Sequence, residues 1–102
     1  MLYVILGHDA PGTLKQRIEL RPQHRDYIRQ LQVAGRLVIA GPRPAIDAVD
    51  AVDPGAAGYH GSLIIAEFDD LEAARAWAVN DPYNQAGVFS HVDVQAFVKA
   101  LP

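Results

Sequence analysis

Four short apolar runs separated by two helix-patterned segments constrain this chain more than any other feature. Leu2-Tyr3-Val4-Ile5-Leu6, Leu37-Val38-Ile39-Ala40, Ser62 to Phe68 and Val88 to Val98 read as strands. The first run lacks alternation, as expected of a central strand covered on both faces. The last alternates, with Val92, Val94, Ala96 and Val98 on one face and His91, Asp93 and Gln95 on the other. Between the first two runs, Thr13 is placed to cap a helical piece from Leu14 to Leu20. Pro22 then interrupts it, because proline inside a helix removes a donor and clashes with the preceding turn. The simplest repair is a kink or a restart, with Pro22 and His24 in the first turn of a main helix. That helix runs to Ala34 and stops at Gly35. After the third strand, Asp69 with Glu72 forms a capping pattern. The second helix carries Leu71, Ala74, Trp77 and Ala78 inward. It ends near Asn80, because Asp81 precedes Pro82 and is pushed out of the helical region.

The order is β-α-β-β-α-β. It predicts an α+β, ferredoxin-like fold: a four-stranded antiparallel sheet with both helices on one face. The other sheet face is too apolar in strands one to three to stay wet, which predicts sheet-to-sheet dimerisation. At 102 residues the chain suits a single domain, 1–102. Residues 43 to 61, rich in Pro, Gly, Ala and Asp, form the longest loop. A linker between two domains is rejected there, since neither flank is large enough to fold alone.

Composition narrows the chemistry. There is no cysteine, which excludes thiolate nucleophiles, disulfides and zinc–thiolate sites. The net charge is −3 with scattered basic residues, against the clustered basic face that nucleic acid requires. No apolar run approaches the roughly 18 residues of a membrane span, and no leader pattern opens the chain. The expectation is a soluble cytoplasmic protein with neither nucleic acid nor membrane as partner.

The candidate chemistry centres on His24. It lies three, four and seven residues before Tyr27, Ile28 and Leu31, which puts an imidazole on the inward stripe of a helix. A buried ring needs a partner, and Asp81 is the candidate. The plain alternatives are a histidine bonded to a backbone carbonyl and an aspartate that only caps a short helix through Tyr83 and Gln85, ended at Gly87. Capping and pairing are compatible if one carboxylate oxygen caps while the other faces His24. Arg17 and Arg21, four apart, either anchor a substrate carboxylate or phenolate or form a solvated helix face. Gly41-Pro42 and Gly61-Ser62 put small residues at strand ends, where close backbone approach leaves room for a pocket. His8, His60 and His91 lack metal-ligand spacing and read as separate surface histidines, so no metal and no cofactor is expected.

Arg21-x-x-His24, Gly35-Arg36-Leu37, Ala40-Gly41-Pro42, Gly61-Ser62, Asp81-Pro82-Tyr83 and Ala86-Gly87-Val88 together resemble the YciI-like protein family. The resemblance spans the chain from Tyr3 to Phe97. It implies a dimeric α/β barrel and an active site centred on His24 and Asp81, with Gly41, Ser62 and Tyr83 at pocket positions. The expected activity is cofactor-free acid–base chemistry, an elimination or isomerisation of a small enolisable, cyclic or phenolic compound. The alternatives are a non-catalytic dimer that binds a small molecule and a structural subunit.

Overall fold

The structure, a computed structural model, describes residues 1–47 and 54–102. The elements are β1 (Leu2–Asp9), α1 (Leu14–Val33), β2 (Leu37–Pro44), a 3-10 turn (Gly55–Ala57), β3 (Tyr59–Glu67), α2 (Leu71–Val79), α3 (Pro82–Gln85) and β4 (Phe89–Phe97). The strands form one antiparallel sheet in the order β2-β3-β1-β4. This is the ferredoxin-like α+β arrangement. The central strand β1 alternates in space although it does not in sequence. Tyr3 and Ile5 are buried towards the helices, while Leu2, Val4 and Leu6 are half-buried on the opposite face. Tyr3, Ile5, Ile64 and Ala66 of the sheet meet Leu31, Ala74 and Ala78 of the helices in the main core.

Helix α1 departs from expectation. It is continuous over 20 residues with Pro22 inside it, where a restart was predicted. Proline costs a helix interior about 3 kcal/mol relative to alanine. Burial outweighs that cost here, because Arg17, His24 and Leu31 are buried at seven-residue spacing on one face. A break at Pro22 would turn Arg17 away from His24. His24 therefore lies near the middle of the helix and not in its first turn. Thr13 does not cap with its side chain. Its hydroxyl donates to the Ala10 carbonyl at 2.7 Å instead, closing the turn from β1.

The other corrections are smaller. Asp70, not Asp69, caps α2, its carboxylate accepting from the Ala73 N–H at 2.7 Å. Strand β2 continues through Gly41-Pro42 to Pro44, and β3 begins at Tyr59. The loop expected over 43–61 is correspondingly shorter, and its centre, 48–53, lies outside the described residues. Gly61 marks a true close approach: a Cβ there would sit 1.7 Å from the Gly7 carbonyl oxygen of β1. Gly41 lies within β2 with open space around it.

Candidate active site

Two locally determined positions meet. Leu31 and the sheet fix the roll of α1 and turn His24 inward. Asp81 is extended (φ −60°, ψ 131°) because Pro82 follows it, and it caps α3. Its Oδ1 accepts from the Tyr83 N–H at 2.9 Å and lies 2.8 Å from Nδ1 of His24. One oxygen thus serves both cap and histidine, where a division between the two oxygens was expected. His24 and Asp81 are 6% and 2% exposed. An ionised carboxylate only accepts, so this bond places the proton on Nδ1 and leaves Nε2 with its lone pair.

Aromatic packing holds the imidazole. It stacks on Tyr83 with ring centroids 3.9 Å apart and meets the Phe89 ring edge-on. Tyr83 is anchored in turn, its hydroxyl donating to the Arg17 carbonyl at 2.9 Å. Burial pushes the Tyr83 hydroxyl up in pKa, against the downward pull of Arg17 and Arg21. Tyr83 therefore acts here as a neutral platform and spacer.

Arg17 is buried and makes three hydrogen bonds. It donates to Asp9 at 2.7 Å, to the Ser62 hydroxyl at 2.6 Å and to the Gly61 carbonyl at 3.2 Å. Its guanidinium also packs on the rings of Tyr59 and Tyr83, 4.8 Å from each centroid. Burial raises the Asp9 carboxyl in pKa despite the adjacent Arg17. Arg21 is freer, donating to the Tyr59 hydroxyl at 3.2 Å.

A cavity of about 290 Å³ opens between α1 and strands β2 and β3. His24, Arg17, Arg21, Gly41, Ser62 and Tyr83 all line it, whereas Asp81 sits behind His24 and does not. Gly41 has no side chain and contributes backbone only, and its pairing with Leu63 turns that position to the other sheet face. Arg25 and Arg29 lie on the same wall and were not foreseen, although their spacing from Arg21 was available, whereas Ile28 was expected on the inward stripe with His24. The Asp9–Arg17 ion pair, which joins the end of β1 to α1, was not foreseen either.

Outside this cavity, His8, His91 and Asp93 place their ligand atoms within 4.8 Å of one another on the open sheet face. The two histidines, expected to be separate, stack at 4.2 Å because β1 pairs with β4 there. Nε2 of His8 lies 2.9 Å from Asp93. The cluster has the donor set for a divalent cation. Against that, the Arg43 guanidinium lies 3.4 Å from Nδ1 of His8, where a ligating histidine needs an acceptor.

The YCII-related domain matches residues 1–98 of this sequence. The chain belongs to the YCII-related domain family. Protein YciI of Escherichia coli is 52% identical over 101 residues, covering 99% of this chain and 100% of the relative. A Haemophilus influenzae protein is 48% identical over 101 residues at the same coverage. Among solved structures, the fold is similar to that of 5-chloro-2-hydroxyhydroquinone dehydrochlorinase (TftG) from Burkholderia phenoliruptrix, in complex with 2,5-dihydroxybenzoquinone. The TM-score is 0.80 at 28% identity, covering 96% of this chain and 94% of that one. No helix among the described residues is long and apolar enough to cross a membrane.

Proposed function

We propose that this YCII-family chain is a cofactor-free acid–base enzyme acting on a small enolisable or phenolic ring compound by elimination or isomerisation. The observation that carries the reading is the 2.8 Å contact between Nδ1 of His24 and Asp81, buried behind a cavity that His24 lines. Asp81 fixes the tautomer and stabilises the imidazolium formed when Nε2 accepts a proton. In an elimination, Nε2 takes the proton and the electron pair left behind forms the new double bond. The leaving group departs with its own bonding pair, so no oxidant or reductant is needed. In an isomerisation, the same nitrogen returns the proton at another atom. A base so held contributes about 10²–10⁴-fold. Similarity to a dehydrochlorinase of ring compounds supports elimination as the first reaction to test.

The reading includes a homodimer. Its support is the apolar row of Val4, Ile65 and Ile39 across β1, β3 and β2 on the face without helices.

The test is halide release and quinone absorbance with chlorinated hydroxyhydroquinones. His24→Ala is expected to lose at least about 10²-fold in turnover while keeping its far-UV spectrum. Asp81→Asn retains an oxygen to cap Tyr83, and it is expected to lose activity with little change in ligand affinity. Turnover undiminished in His24→Ala would sink the catalytic role. Ligand binding without turnover in the native protein would favour the small-molecule binder instead.

A further inference from the structure

Helix α1 presents arginine at positions 17, 21, 25 and 29, one per turn, and all four line the cavity beside His24. Among the described residues, no carboxylate lines it. Four-residue steps along a helix rise about 6 Å each, so the arginines form a cationic wall that flanks the histidine, Arg17 and Arg21 before it and Arg25 and Arg29 after it. They differ in what they already hold. Arg17 is held by Asp9, Ser62 and Gly61, and Arg21 donates to the Tyr59 hydroxyl. Arg29 pairs with Asp26 at the surface. Arg25 has no hydrogen bond or ion pair among the described residues. Opposite the wall, Leu37, Ala40 and Ile64 of the sheet supply aliphatic surface, which Ile28 extends on the helix side. A flat apolar ring fits the aliphatic side, with an acidic substituent directed to the wall.

We infer that Arg25 is a specificity-determining residue, and that the site takes a single-ring substrate with a carboxylate remote from the reacting carbon. The substrate class rests on the proposed reading of His24, but the anion preference does not depend on turnover. The ring's reacting edge lies at His24, and its carboxylate lies against the exposed guanidinium of Arg25, whose Cα is next along the helix but about 100° further round it. A guanidinium offers that group a paired set of donors. A merely solvated basic helix face would show no such preference.

Binding to the full chain tests this without catalysis. Hydroquinone and 2,5-dihydroxybenzoate differ only by the carboxylate, and calorimetry gives Kd for each. The native protein is expected to bind 2,5-dihydroxybenzoate at least about tenfold more tightly. Arg25→Gln should erase that preference while leaving the hydroquinone Kd unchanged. Arg75→Gln, an equal loss of charge at an exposed position of α2, should leave the preference intact. Equal binding of the two compounds by the native protein, or binding of neither, would overturn the inference. So would an unchanged preference in Arg25→Gln, or the same loss in Arg75→Gln. The preference appearing in a protein that turns over no ring compound would retain the anion site while discarding the catalytic reading.

Discussion

His24 and Asp81 were each legible because each obeys a local rule. A histidine on an inward helical stripe needs a partner, and an aspartate before proline must leave its helix. Their meeting was not legible, since it depends on how α1 rolls on the sheet. Asp9 shows the limit more sharply: it sits at the end of β1, and only the turn into α1 brings it 2.7 Å from Arg17. Tyr27, on the neighbouring turn, gives a prediction at this scale. Its hydroxyl donates to the Trp77 carbonyl at 2.7 Å, and its ring stacks on Trp77 at 4.5 Å. Burial, and secondarily the charge of Asp81, push this hydroxyl up to about 12 from the usual 10.0. The folded chain thus holds the proton more tightly than the unfolded one. The resulting stability is fully present below pH 10, and it is lost as the pH rises through about 12. Denaturant titrations across that window are expected to show the native protein losing stability relative to Tyr27→Phe. Parallel losses in both would show that Tyr27 titrates normally.

At the level of elements, the order and type of every strand and long helix followed from periodicity, while several boundaries did not. Strand β2 runs through Gly41-Pro42 because pairing with β3 supplies hydrogen bonds that outweigh a local turn preference. Helix α1 runs through Pro22 because Arg17 and His24 must share a face. Asp81 before Pro82 behaved as expected, since that restriction is steric and local. Pro22 is the element's weak point. Its ring leaves the Ile18 carbonyl without the N–H that an ordinary residue would donate. Pro22→Ala is expected to stabilise the fold. A gain of only about 1 kcal/mol would raise Tm by roughly 4–8 °C in a domain this size. Calorimetry on the two proteins checks it. A fall in Tm would mean that the proline ring sets a bend on which the buried face of α1 depends.

Among the described residues, one sheet face is covered and the other is bare, and the bare face is the larger physical problem. Both helices of length pack on the Tyr3 and Ile5 side. On the other side, Leu6 pairs with Leu63, and Val4 and Ile39 both pair with Ile65, making an apolar stripe across three strands. Ile39 remains 57% exposed. Strand β4 borders this stripe with His91, Asp93 and Gln95, so the patch has a polar margin, as an interface does. A chain of 102 residues buries a modest fraction of its surface alone, and pairing two such faces removes apolar area from water at about 25 cal/mol per Å². The native protein is therefore expected to sediment at twice 11.1 kDa. Ile65→Glu places a charge in the middle of the stripe without touching the cavity, which lies on the opposite face. It is expected to sediment as a monomer with an unchanged far-UV spectrum. If ring-compound turnover survives in that monomer, each chain holds a complete site. If it is lost while the cavity still binds ligand, the partner chain contributes to the chemistry. A native protein that sediments as a monomer at micromolar concentration would remove the dimer from the functional account altogether.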